Sequence, residues 1–284
     1  MMNASNFRLY ASDLLGRSFG STVQFLFLDD DERKLTYKKY HNDTDWSRFI
    51  YRSGLSQKYG ISVRGGDEVA MYNLSLGYTD SESILEANDF SRLNIRFNTD
   101  VNLVKDLYIR LNVAYSNTKR QLFDDGAPED YTSGTILSTG FLSMIKAPIL
   151  WPYKYDMFGN ATTLLEDADD YGIVLGNNNS FSNPLAITQY GAAVNKNYQQ
   201  YDLFSMALAP KYQINRNLSV QSNIAFFFTD ESEKYFSPMT GTTSFYLEGK
   251  GITNNQAKSQ FIRGKNISID THLDWNKNNL VHKY

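Results

Sequence analysis

The chain has no cysteine in 284 residues and only three histidines. Disulfides, thiol nucleophiles and zinc–thiolate sites are excluded, and cysteine usage says nothing about the redox compartment. Charge of one sign is missing too. Lys and Arg number 28 against 31 Asp and Glu, a net charge of −3, so there is no electrostatic footprint for nucleic acid. No apolar run approaches the roughly 18 residues that a transmembrane helix needs. Ile224-Ala225-Phe226-Phe227-Phe228 and Leu203 to Ala209 are strand-sized. Mean hydropathy is −0.45, which is too polar for a helical membrane protein. A transmembrane barrel escapes that argument, because only alternate residues of each strand face lipid. Met1 to Ala11 has no basic segment followed by an apolar one, and Arg8 interrupts it, so no signal peptide is read there. No Gly-x-Ser-x-Gly elbow occurs, and His41, His272 and His282 are scattered. The reading is therefore no catalytic constellation, no metal site, no cofactor and no enzyme.

What the chain has is aromatic rings and alternation. Aromatics make up 14 %, with 20 Tyr and 18 Phe, a balance that suits amphipathic rings at membrane interfaces. The most regular stretch is Phe90 to Leu103. Leu93, Ile95, Phe97, Val101 and Leu103 alternate with Arg92, Asn94, Arg96, Asn98, Asp100 and Asn102. That period of two predicts a strand with one apolar and one polar face. Fourteen residues at about 3.3 Å each reach roughly 46 Å, and a tilt of about 45° turns that into a rise of roughly 32 Å, the thickness of a bilayer's hydrocarbon core.

The same pattern predicts strands at Leu55 to Gly65, Val69 to Thr79, Leu107 to Ser116, Tyr198 to Gln213, Leu218 to Thr229, and a last one through Ile267, Ile269, Leu273 and Trp275. Short turns are read at Gly65-Gly66-Asp67, Val104-Lys105-Asp106, Asn215-Arg216-Asn217 and Asn276 to Asn279. The other connections are longer: Asp80 to Asp89 is of medium length, residues 117–196 are very long and residues 230–261 are long. In an up-and-down sheet, alternate connections lie at opposite ends, so every short turn falls at one end and every long loop at the other. An outer-membrane barrel has that parity. Alternation alone equally fits a soluble β-sandwich with one wet face, serving as a carbohydrate-binding module. A small porin-like or adhesin barrel is a further alternative.

Before Tyr51 the pattern is weak. Val23 to Leu28 has the composition of a strand, Asp29 to Lys34 that of a solvated loop, and Asp43 to Tyr51 that of one or two helical turns capped by Asp43 or Thr44. Inside the 117–196 loop, Thr135 to Lys146 is read as helical and stopped by Pro148.

Two groups stand out as candidate sites. Trp151, Tyr153, Tyr155, Phe158 and Tyr171 lie in the longest loop, where aromatic faces either stack on a substrate and anchor a partner or pack the loop onto itself. Arg64, Arg92, Arg96, Asp100 and Arg110 share the polar faces of neighbouring strands and are read as a lumen wall. His272, between Asp270 and Asp274, is read as part of that wall. The acidic stretch Glu166-Asp167-Ala168-Asp169-Asp170 lacks calcium-loop spacing and is read as solvated.

One continuous block carries a resemblance. Asp43 to Trp46 (DTDW), Tyr51 to Gly66 (YRSGLSQKYGISVRGG), Ala70 to Asp80 (AMYNLSLGYTD) and Phe90 to Val101 (FSRLNIRFNTDV) resemble, in order, the barrel region of SusC/RagA-type TonB-linked outer-membrane transporters. Lys146-Ala147-Pro148, Pro152-Tyr153 and Asn183-Pro184-Leu185-Ala186 extend it. The resemblance implies an all-β fold: an antiparallel up-and-down transmembrane β-barrel segment, incomplete, with about seven strands plus a stub of a larger plugged barrel. Residues 1–50 then form an N-terminal segment with room for one strand and an extracellular loop, and residues 51–284 form the partial barrel. The resemblance also implies import of oligosaccharides or peptides, a SusD-like surface lipoprotein as partner, and drive from TonB–ExbB–ExbD through a plug and TonB box that this sequence lacks. The implied location is the Gram-negative outer membrane. The expectation is a fragment that does not transport alone.

Overall fold

The computed structural model describes residues 2–18, 31–121, 138–167, 181–191, 197–247, 249, 251–253 and 255–276. Seven long strands form one antiparallel sheet. They are β1 (Ser56–Gly66), β2 (Ala70–Ser81), β3 (Phe90–Val104), β4 (Leu107–Gln121), β7 (Tyr198–Asn215), β8 (Leu218–Ser237) and β11 (Gln256–Trp275). They lie in chain order as an up-and-down meander, with β1 and β11 as open edges. Two small hairpins sit outside the sheet, β5 (Tyr153–Tyr155) with β6 (Ala161–Leu165), and β9 (Phe245–Leu247) with β10 (Gly251–Thr253).

Register keeps one polar face continuous across the sheet. Arg64 pairs with Asn73, Asn73 with Asn98 and Asn98 with Asn112. On the other face Val63, Leu74, Phe97, Val113, Met206 and Phe226 follow one another across six strands. Directly opposed residues project to the same side, so the alternation legible in each strand becomes two uniform surfaces.

The short turns are built locally. Gly66 holds φ +149°, and Asp67 then accepts hydrogen bonds from the amides of Val69 and Ala70, both at 2.9 Å. At residues 216–217 the Asn215 side chain accepts from the amides of Asn217 and Leu218, at 2.9 and 3.0 Å. These turns and the one at 105–106 lie at one end of the sheet, and the chain passes from β2 to β3, from β4 to β7 and from β8 to β11 at the other.

The buried apolar core is not in the sheet. Its members are Ala4, Ala11, Tyr40, Trp46, Ile50, Leu142, Ile149, Leu150, Leu165, Leu185, Ala186 and Ile187, and none belongs to the seven long strands. No second sheet of comparable size packs on the first among the described residues, so the sandwich alternative is not what forms.

Several boundaries correct the sequence reading. β4 runs on to Gln121, β8 to Ser237, and β11 starts at Gln256, so strands occupy both ends of the 230–261 segment read as loop. A helix spans Ala4–Ser18, where only weak pattern was read. The helical turns predicted from Asp43 are a single turn, Ser47–Ile50, with Trp46 at its N-cap and the preceding Asp45, not Asp43 or Thr44, accepting from the Ser47 amide at 3.1 Å. The predicted helix after Thr135 is Thr139–Ile145. Val23 to Leu28 and Tyr171 lie outside the described residues.

Candidate functional site

The core belongs to a loop assembly at the end of the sheet opposite the tight turns, and polar side chains stitch it together. Thr44, 4 % exposed, donates its hydroxyl to the Leu150 carbonyl at 2.5 Å, and its amide donates to the Pro148 carbonyl at 2.8 Å. The Trp46 indole donates to the Ala147 carbonyl at 3.0 Å. These bonds cross about a hundred residues, and they fix the 43–46 segment against 147–150. Trp46 then packs with Tyr40, Ile149 and Leu150. Asn183 does the same for the third segment. Its amide donates to the carbonyls of Pro152 and Glu166, at 2.9 and 3.2 Å, while its oxygen caps the turn Pro184–Ala186 through the Leu185 amide. Leu185 and Ala186 pack with Ile50 and Leu165.

Lys146 is a buried charge in this assembly, at 4 % exposed. Its ammonium donates to the carbonyls of Phe181 and Ser182, at 2.8 and 3.0 Å, and lies 5.5 Å from the Trp46 ring centroid. Burial pushes its pKa down to about 7. The two carbonyl oxygens and the ring face pull the other way, since each favours the charged form. Glu166 is 3 % exposed, and one of its carboxylate oxygens has no hydrogen-bond partner among the described residues.

The predicted aromatic group divides. Trp151 stands edge-on to Phe49 at 6.0 Å and tilted to Tyr153 at 6.2 Å. Tyr153 packs on the buried cluster around Ile50. Tyr155 donates to the Asn42 side chain at 2.7 Å, and burial raises its phenol above the ordinary tyrosine range. These three pack within the loop assembly. Phe158, 76 % exposed, sits with Met157, 81 % exposed, at the tip of the β5–β6 hairpin. There Asp156 accepts from the amides of Phe158 and Asn160, bonds that hold its carboxyl below its usual range. Trp151 also lines a cleft of about 690 Å³ with Asp43, Asp45, Ser47, Arg48 and Phe49.

The predicted wall residues share one face. Arg92 lies opposite Thr79 and Thr118, Arg96 opposite Ser75 and Ala114, and Asp100 opposite Arg110. Arg110 and Asp100 form an ion pair at 3.0 Å, and the same guanidinium donates to the Tyr108 hydroxyl oxygen at 3.1 Å. Arg64, Arg92 and Arg96 make no ion pair among the described residues. Arg92 and Arg96 flank a concavity of about 540 Å³ with Ser75, Asn94, Ser116 and Tyr201. His272 lies 3.6 Å from Asp270 and 3.8 Å from Asp274.

The stitching residues Thr44, Lys146 and Asn183 were not singled out as site residues by sequence reasoning, although all three fall in the segments that carry the resemblance. A buried polar side chain that binds a distant carbonyl leaves no local periodicity to read.

No profile of a known family matches the chain. Individual proteins do. Over 86 residues, 30 % of this chain, it is 33 % identical to the TonB-dependent receptor SusC of Bacteroides thetaiotaomicron. Over 262 residues, 88 % of this chain, it is 22 % identical to the TonB-dependent receptor P3 of Formosa agariphila. These matches span 9 % and 23 % of the two receptors. Among solved structures, the RagAB peptide importer in its closed-closed state superposes with a TM-score of 0.62 at 14 % identity, covering 98 % of this chain and 30 % of that one. A second RagAB peptide transporter structure gives 0.56 at 14 %, covering 99 % and 34 %. In sequence and in fold, the chain is similar to the SusC/RagA-type TonB-dependent outer-membrane receptors, of which it spans a minor part.

Proposed function

We propose that the chain forms part of the wall and the external loops of an outer-membrane importer for oligosaccharides or peptides. The importer receives its cargo from a SusD-like surface lipoprotein and is driven by TonB–ExbB–ExbD. One observation carries this reading. Seven strands present a single apolar face, and that face holds none of the chain's buried core. Ile61, Ile267, Ile269 and Trp275 keep 61, 67, 69 and 70 % of their surface. Such a face in water is an aggregation surface, and in a bilayer it is solvated. The polar face, with Arg64, Arg92, Arg96, Asp100 and Arg110, lines the lumen. The tight turns face the periplasm. The loop assembly faces outward, with Trp151, Tyr153, Tyr155 and Phe158 on the side that meets cargo or lipoprotein, and Tyr171 belongs to the same loop.

The absence of cysteine makes the topology easy to test. Single cysteines placed at Met157 and at Asp67 should react differently with an impermeant maleimide on intact cells. Labelling of Met157→Cys before permeabilisation and of Asp67→Cys only after it is the expected result; the reverse order overturns the orientation. For the aromatic group, Trp151→Ala with Tyr153→Ala should lower lipoprotein affinity or uptake in the receptor that carries this segment. Unchanged values for both remove those rings from the site.

A further inference from the structure

The apolar face ends in charge on one half of the sheet only. On β4, β7 and β8 the apolar-face rings Tyr115, Phe204 and Phe228 share one row with Lys265 of β11, and beyond that row the face carries rings only at Tyr198, Phe236 and Phe261. In the same rows, toward the loops, that face carries Lys119, Lys234 and Arg263, all exposed. Two carboxylates, Asp202 and Asp230, lie among these cations, and both are engaged. Asp202 accepts from Tyr115, Asn117 and Gln200, at 2.6, 2.6 and 2.9 Å. Asp230 accepts from Arg263 at 3.3 Å. Rings orient two of the cations: Lys234 stands 5.4 Å from the Tyr198 centroid, and Arg263 stands 5.2 Å from Phe261 and 5.8 Å from Phe228. At the matching level of β1, β2 and β3 the face carries Gln57, Asp80 and Ser91 and no cation. Strand spacing of about 4.8 Å and same-face steps of about 6.7 Å put the four cations in an area of roughly 15 by 20 Å.

We propose that this edge of the wall seats the phosphorylated headgroup of a lipid A-type glycolipid, with Lys119, Lys234, Arg263 and Lys265 around the phosphates and the acyl chains lying on Phe204, Phe228 and Ile267. The site rests on the reading of the apolar face as lipid-facing. Four cations outnumber two carboxylates, and they sit where apolar surface gives way to polar, which is where a membrane lipid places its phosphates. A basic residue at that level strengthens binding of an anionic lipid by about fivefold.

Native mass spectrometry on the protein extracted from outer membranes in mild detergent tests it. The wild type should carry bound phosphorylated glycolipid. Lys119→Gln/Lys234→Gln/Arg263→Gln/Lys265→Gln should lose it by more than about tenfold. Lys119→Gln/Lys234→Gln/Lys265→Gln, which keeps the Arg263–Asp230 pair for folding, should lose most of it. Lys58→Gln/Arg92→Gln/Arg96→Gln/Lys211→Gln removes equal charge from the polar face and should retain it. Enzymatically dephosphorylated lipid A should not rebind, and inorganic phosphate should not displace the bound lipid. Retention by the first two variants, or equal loss from the polar-face variant, overturns the site. Recovery of wild-type chain in the soluble fraction instead overturns the membrane reading beneath it, so the two failures are distinct.

Discussion

In the loop assembly Trp46, Ile50 and Leu142 have no accessible surface left, whereas in the wall Ile267, Ile269 and Trp275 keep about two-thirds of theirs. Both regions come from one chain of even composition, yet they bury apolar side chains against different things. The loops fold three distant segments around a core of their own and satisfy the backbone groups this encloses with Thr44, Trp46, Lys146 and Asn183. Among the described residues no buried apolar core packs on the wall, and in the function proposed above its apolar face is covered by lipid. Side chains of the same kind therefore fail for different reasons in the two regions, and this makes the contrast testable.

The largest expected effect is in the loops. Trp46→Ala removes a fully buried ring and an indole hydrogen bond, and should cost about 3–5 kcal/mol. Hydrogen exchange should show protection lost around Thr44, Leu150 and Asn183 and kept in β2 and β3. Loss in both regions would mean that the two are one cooperative unit.

In the wall, Phe97→Arg places a charge on the apolar face and should cost about 2–4 kcal/mol in a bilayer-inserted barrel. Asn98→Arg, one residue on and on the other face, should be mild. Equal costs in a refolding titration would break the assignment of faces.

The third effect depends on pH. Folded Lys146 releases its proton near pH 7, against an ordinary value of 10.5, so between those values the unfolded chain binds more protons. Loop stability should then rise with pH from about 7, by up to about 1.4 kcal/mol per pH unit. Above about 10 the raised Tyr155 phenol opposes further gain, because the unfolded chain ionises there first. Lys146→Met should flatten the slope in the thermal midpoint of the loops, and a slope unchanged in that variant would assign it to other groups.

The smallest effect is at the tight turn. Asp67→Ala removes two amide hydrogen bonds and should speed exchange at Val69 and Ala70 without altering the β1–β2 register.

The wall was legible in the sequence because a period of two is a local signal, and Phe90 to Leu103 displays it almost without interruption. It faded where both faces turn polar, as in Asp230–Ser237 and Gln256–Gln260, and there strands were read as loop. The helix Ala4–Ser18 left one usable sign, Asn3 accepting from the Asn6 amide at 2.8 Å, but no apolar stripe. The ion pair of Asp100 with Arg110 follows from register, which the turn at 105–106 sets with a bulge between Asn102 and Val104. Of the loop core, the helical turns were legible and the contacts between segments were not. Thr44 with Leu150 and Trp46 with Ala147 are neighbours only once the chain has folded.

The most direct measurement uses the cysteine-free background. Nitroxide labels at Phe97→Cys and Asn98→Cys, with the protein reconstituted in a bilayer, report which medium each face meets through collisions with oxygen or with a water-soluble nickel chelate. Position 97 should collide with oxygen and be shielded from the chelate, and position 98 should show the opposite. Equal chelate access at both positions would contradict it.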